Sequence, residues 1–462
     1  MAGQAVFTGK PFTRRQLLLG MGRFGLGMGA MSALAACMPA VAPTAQTGGG
    51  EAQTPSQEAV TIQYWTFWAD RWGEFQGKIV EEYNRTHNDI RVEMLIVPWG
   101  ELATKLLTAV SAGNPPDFSI INRSEVVEWA VRGGVLPLDD YIAASDEVHP
   151  EDWFESAWTE CVWEGKAYAQ PFESGTYAAW YHIGLFEEAG LDPTALPTTW
   201  SEVDAMAEAI TQGTPQDGYT RVGFIPWGSR QDLLGWLAGG EWYDEETQQI
   251  TAVTPENIAA MEWVKQYADR YGGEALERFR QSLGGGDTED DPFYRDQLGS
   301  VWKGSWSLSA KVEYAPDVPF DVRPLPYRDG TSNDSVNQGS ACVLPKGSPH
   351  PDPAYQFLTW MSIHGVAMWV PFAADMVSRK DQTDIYPDAL PDNEQFRGYW
   401  KLYNDALAYA HHEPAMPARR FWNDQLSAAV DAIVRGAKSP EQALQDAQEA
   451  TQRELDKALG KA

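Results

Sequence analysis

The chain has 462 residues, with 65 acidic against 35 basic side chains and a net charge of −30. A surface this acidic repels phosphate backbones and argues against a nucleic-acid partner; it also disfavours anionic solutes unless a local arginine pocket receives them. Its 20 Trp, 18 Tyr and 17 Phe exceed what packing requires, which leaves a few flat aromatic faces for a ligand. Some 425 residues follow Cys37, more than one core usually holds, so two domains are expected. The only cysteines are Cys37, Cys161 and Cys342, without metal-ligand spacing, and neither a metal nor a cofactor is expected.

Met1 to Cys37 reads as an export tag. Thr13-Arg14-Arg15-Gln16-Leu17-Leu18-Leu19 is a twin-arginine sequence, a recognised bacterial address. Leu34-Ala35-Ala36-Cys37 is similar to the bacterial lipobox, which makes 1–36 a signal peptide and Cys37 the lipidated first residue. The run Leu17–Ala36 is long enough to span a bilayer, but it holds five glycines and Arg23, which weaken a helix and burden its centre with charge. Gly20-Met21-Gly22-Arg23-Phe24-Gly25 satisfies G-x-G-x-x-G, yet no strand precedes it and no acid occurs before Glu51, so it is a chance match. Losing Lys10, Arg14, Arg15 and Arg23 takes the charge from −30 to −34. Residues 37–58, rich in Ala, Pro, Thr, Gly and Gln, cannot bury enough surface to fold and read as a tether.

The body opens as alternating strand and helix. Strands are expected at Val60–Trp65, Ile90–Val97 and Asp117–Ile121, and helices at Gly73–Thr86, Trp99–Ala112 and Glu125–Val131. This order implies a parallel sheet with helices on its faces, and ligands beyond the carboxyl ends of its strands, here the loops Thr66–Trp72 and Asn122–Arg123. Trp163–Pro171 reads as a strand pair turning at Glu164-Gly165. Thr199 with Glu202 forms a capping box; Thr254-Pro255, Asp352-Pro353 and Ser439-Pro440 place caps before a first-turn proline. The last helix carries Leu444, Ala447, Thr451 and Leu455 on one face. Gly284-Gly285-Gly286-Asp287 and the acids after it read as a mobile loop. It lacks the Gly-Lys-Ser/Thr ending of a phosphate loop.

A series of motifs then occurs in order: Gly113-Asn114-Pro115-Pro116-Asp117, Gly134 to Ile142, Gly165 to Pro171, Trp180 to Leu191, Pro197 to Glu202, Gly299 to Trp306, and Gln338 to Lys346. Together they resemble the extracellular solute-binding proteins of ABC importers, specifically the sugar- and oligosaccharide-binding family that includes maltose-binding protein. Departures are Ala169 for the usual Gly, His182 for Asn, and a missing Lys and Met before Trp306. The resemblance implies an α/β fold of two lobes, a Venus flytrap with central sheets flanked by helices and solute held in the cleft between. It puts the N-terminal lobe at 59–172 and 341–390 and the C-terminal lobe at 173–340 and 391–462. Crossings fall near Phe172–Thr176, Asn337–Ala341 and Asp388–Glu394. It sets Cys161 and Cys342 on neighbouring strands, which leaves a disulfide open, whereas folding before twin-arginine export favours two buried thiols.

Sugars need aromatic faces for ring C–H surface and side-chain amides, carboxylates or guanidiniums for hydroxyls. Trp306 matches the family's G-x-W tryptophan. Trp68 stands in the first strand-end loop among Trp65, Phe67 and Trp72; Glu173 and Tyr177 follow the first crossing; Trp227 and Trp422 occupy second-lobe loops, the latter beside Arg420. Asn122 ends the third strand, and Gly339 permits close backbone approach. His411-His412-Glu413 is not a metal motif, because adjacent histidines cannot share a helix face. The expected protein is a monomeric, non-enzymatic, lipid-anchored extracytoplasmic receptor that feeds a carbohydrate to an ABC permease. The alternatives are a secreted glycoside hydrolase with paired carboxylates, or a receptor of the same fold for a polyamine or other non-sugar solute.

Overall fold

The computed structural model describes residues 59–461 apart from Ser229 and Asn333; the signal peptide, Cys37 and the tether lie outside the described residues. Within Gln57–Ala462, one compact unit, the strands in chain order are β1 (Val60–Thr66), β2 (Ile90–Ile96), β3 (Phe118–Asn122), the hairpin β4 (Val162–Trp163) and β5 (Lys166–Ala167), β6 (Gln170–Gly175) and β7 (Tyr177–His182). There follow the short pairs β8 (Gln212–Thr214) with β9 (Gly218–Arg221) and β10 (Tyr243–Asp244) with β11 (Gln249–Ile250). Last come β12 (Ser300–Gly304), β13 (Phe320–Arg323), β14 (Val336–Val343), β15 (Met376–Val377) and β16 (His411–His412).

The first sheet runs β15-β6-β14-β3-β1-β2, with β16 beside β14. β1 is parallel to β2 and β3, as the alternating pattern predicts, while β14 returns antiparallel between β3 and β6. Ile62 and Tyr64 on β1 pack against Ile79 and Tyr83 of helix Asp70–Thr86 and Phe357 and Trp369 from the segment after β14. The hairpin turns at Glu164 and Gly165, with φ 48 and 76, the double positive φ of a tight primed turn.

The chain changes sheets at Thr176. β7 is the middle strand of a second sheet, β12-β7-β13. Its core is a larger apolar cluster in which Trp200, Trp263 and Tyr267 meet the buried faces of helices Arg419–Val434 and Pro440–Ala458. A third cluster packs Trp180 and Phe320 against helix Glu394–Ala406. Every residue of β6 and β7 is buried, as expected for strands covered on both faces.

Two local expectations shift, and the cysteines take the favoured form. β6 stays in the first sheet to Gly175 and pairs with Gln338 and Gly339 of β14, so the crossing near Phe172–Thr176 leaves that sheet only at Thr176. The helix after β14 begins at Pro351 with His350 as its cap, so the Pro at N1 is Pro351 and Pro353 sits two positions further in. Cys161 and Cys342 are free, buried thiols.

Candidate binding cleft

A cavity of about 620 Å³ lies where the sheets exchange strands, within the range of small-molecule sites. Its floor is made by β6 and β14. Glu173 accepts from the Ser340 amide at 2.7 Å and the Ser340 hydroxyl at 2.9 Å. Burial pushes its carboxyl up, against the pull of those bonds and of Arg123. Behind the floor the fully buried Arg123 donates to Glu160 Oε2 (2.8 Å), the Glu173 carbonyl (3.0 Å), Ser174 Oγ (3.2 Å) and both oxygens of Asn337. One guanidinium thus ties the end of β3 to both crossing strands. Gly339 is needed here because a Cβ would fall on the Glu173 carbonyl oxygen and within 2.5 Å of Arg123 Nη1. Asn122 spends its Oδ1 on the Ser124 amide and hydroxyl.

Two groups of aromatic rings line this cavity. Trp68 packs on Trp369 (4.6 Å), Phe67 (4.4 Å) and Phe172 (5.7 Å). In the second group, Trp306 meets the Tyr177 ring edge-on at 5.5 Å and donates Nε1 to Asp287 at 3.1 Å. Its ring is pressed onto bare backbone: a Cβ on Gly175 would come within 2.8 Å of it, and one on Gly304 would overlap it.

Charge is supplied from loops. Arg230 reaches Gln338 (2.9 Å), Glu413 (2.8 Å) and Asp232 (2.7 Å), with its guanidinium 5.4 Å from the Tyr177 ring. Burial works against ionisation of Glu413, yet Arg230 and Arg419 hold its carboxyl down to about 2. Asp375 is the converse. It accepts from Trp369 Nε1 at 2.7 Å, and burial, then the charge of Glu173, push it well above the carboxylate range. Asp287 is fixed from below by Lys303 (2.9 Å), while its own amide donates to the buried Asp291. The glycine-rich loop is therefore anchored on Asp291 rather than loose. Asp70, Arg230 and Asp287 are non-glycine residues at φ 50 to 59, and Ala374, next to Asp375, is at φ 58; such backbone strain collects at ligand sites.

The cavity brings together Trp68, Asn122, Glu173, Tyr177, Trp306 and Gly339. Two expected residues stand elsewhere. Trp422 is fully buried against Trp242, on the same helix face as Leu426, Ala429 and Ile433; helical spacing commits it to the core. Trp227 lines an adjoining compartment of about 290 Å³. Arg420 stays outside the main cavity, where its amide donates to Glu128 at 2.9 Å. His411 and His412 lie on β16, His411 stacked on Trp236 and His412 hydrogen-bonded through Nε2 to Glu245 at 2.7 Å. Sequence reasoning missed Arg71, Arg230, Asp375 and Glu413, which no motif marks. It saw the glycine-rich loop but not Asp287's part in the site.

Residues 70–368 match the family described as bacterial extracellular solute-binding protein. The chain belongs to that family. Its members are extracellular binding proteins rather than enzymes, which places the chain outside the cytoplasm. Among the described residues no helix is long and apolar enough to cross a membrane. The chain is 21% identical over 309 residues to the arabinooligosaccharide-binding protein of Bacillus subtilis, covering 65% of this chain and 68% of that one. It is 23% identical over 354 residues to the diacetylchitobiose binding protein DasA of Streptomyces coelicolor, covering 75% and 77%. Among solved structures it resembles CpMnBP1 with mannotriose bound, at TM-score 0.77 and 25% identity over 85% of this chain and 100% of that one. The family fold is the two-lobed binding-protein fold, and the cavity lies in its cleft.

Proposed function

We propose that this protein captures a sugar or oligosaccharide in the cleft and delivers it to an ABC permease, held beside the membrane as a monomer by lipid on Cys37. The observation that carries the reading is the pairing of Trp68 and Trp306 faces with acceptor groups on Glu173, Asp287, Asp375 and Gln338 around one cavity. Stacking suits the C–H faces of a pyranose, and carboxylates accept from its hydroxyls. Contacts from the second lobe, made by Tyr177, Trp306 and Arg230, are what let solute favour the closed form. The relatives named for arabino-oligosaccharide and diacetylchitobiose, and the mannotriose complex, support a carbohydrate.

A thermal-shift panel of mannotriose, arabino-oligosaccharides, chitobiose, maltotriose and polyamines tests this. A specific ligand at a hundred times its dissociation constant stabilises by about 2.7 kcal/mol; no shift with any carbohydrate would sink the proposal. Polyamines are included because Asp70, Glu125, Glu173, Asp287, Asp375 and Glu413 outnumber Arg71 and Arg230 around the cavity, which favours a cationic solute as the second reading. Release of reducing sugar from bound oligosaccharide would instead favour a hydrolase. For the anchor, Cys37→Ser is expected to shift the protein from the membrane fraction to the soluble one.

A further inference from the structure

The adjoining compartment differs from the main cavity in chemistry. Arg230 and Gly286 line both spaces, so the two adjoin at that side chain and the glycine-rich loop. The compartment's walls include Phe224, Ile225, Trp227, Leu298, Val301 and Trp302. Trp302 packs on Phe224 at 5.3 Å, and Trp227 is held by Glu277 through its Nε1 at 3.4 Å. The guanidiniums at the rim are already neutralised, Arg280 by Glu277 at 2.7 Å and Arg230 by Asp232 and Glu413. Among the described residues no carboxylate lines the compartment. Apart from those guanidiniums and the Trp227 indole its polar side-chain groups are Ser300 and Trp302, whose Nε1 is buried without a hydrogen-bond partner; the rest of the wall is largely apolar, and an apolar group would gain from burial on it.

We propose that this compartment receives an apolar substituent, an aryl or short alkyl aglycone, carried at one end of the glycoside whose sugar occupies the main cavity. The inference rests on the carbohydrate reading above and specifies its substrate class. The glycine-rich loop forms the partition: Gly286 faces both spaces while Asp287 faces the sugar side. The compartment gives Trp227 a place in recognition that the main cavity does not.

The test is calorimetry on the wild-type chain with mannobiose, maltose, chitobiose and cellobiose, each as the methyl and as the 4-nitrophenyl glycoside. The expected result is that the aryl glycoside of the recognised sugar binds at least tenfold tighter than its methyl counterpart. In Ile225→Asp that gain is expected to vanish while methyl-glycoside affinity stays within twofold. Equal affinities in the wild type, or a gain that survives Ile225→Asp, overturn the proposal and leave the carbohydrate reading standing. Binding of none of the eight compounds also overturns the proposal, while the carbohydrate reading is decided by the thermal-shift panel. Because the primary comparison uses one unaltered protein, a folding defect in the variant cannot mimic support.

Discussion

Glu413 and Asp375 are carboxylates of one cleft whose surroundings drive them in opposite directions. Glu413, between Arg230 and Arg419, has its pKa depressed to about 2, below an unfolded value of about 4.3. Its stabilisation is fully present above the unfolded value and is lost as pH falls from about 4.5 to about 2. Glu413→Gln leaves two buried guanidiniums short of a counter-charge, and a loss of about 3 kcal/mol is expected at pH 7, read by urea unfolding. For Asp375 the folded pKa is raised, so its contribution is present below the unfolded value, about 3.9, and is lost as pH rises through the folded one. Asp375→Asn should therefore raise the melting temperature at pH 7, with the gain shrinking on acidification toward pH 4; a lower melting temperature at pH 7 would contradict the assignment. Gly175→Ala tests the seat of Trp306: a methyl 2.8 Å from its ring must displace it, and a tenfold or greater loss of solute affinity is expected by calorimetry. The buried Cys161 and Cys342 should react with a thiol reagent only after denaturation.

At the scale of elements, the β14–β6 ladder shifts register between Gly339 and Ala341, where β6 supplies one extra residue between Ser174 and Pro171, and Gly339 lies against Arg123. Gly339→Ala forces overlap with the Glu173 carbonyl and the guanidinium; overpacking of this kind costs about 1–3 kcal/mol, measurable as a lower denaturant midpoint. The β-α alternation to β3, the Glu164-Gly165 turn, the Thr199 capping box and the face of the last helix were legible because each depends on neighbours within a few residues. So were the cleft residues that end strands or sit at the crossing, Asn122, Glu173, Tyr177 and Gly339. Arg230 and Glu413 were not, since they meet across 183 residues of chain; Asp375 was not either, because no motif marks it although its partner Trp369 is six positions away. Trp422 was misplaced for a related reason. An aromatic beside a helix start looks alike in sequence whether its face turns to solute or, as with Trp242, to the core.

For the whole molecule, the lobes are joined across the cleft as well as through the crossing strands. Arg71 of helix Asp70–Thr86 pairs with Glu313 of helix Ser307–Tyr314 at 2.7 Å, and on the other side the Arg420 amide meets Glu128. Glu313 is 45% exposed, so Arg71→Ala is expected to cost no more than about 1 kcal/mol of closed-state stability. In stopped-flow measurements this would appear as solute release up to fivefold faster with association little changed. The sheet order carries a different consequence. β14 lies between β3 and β6, β15 borders β6, and β16 pairs with β14, so the first sheet is not complete until residue 412 has been made. A ribosome that has synthesised the first three hundred residues has therefore produced much of both lobes and finished neither. The emerging N-terminal strands must wait, their edges open to wrong partners, for a strand that arrives last. Holdase binding to the nascent chain should persist until the segment through His412 has left the exit tunnel.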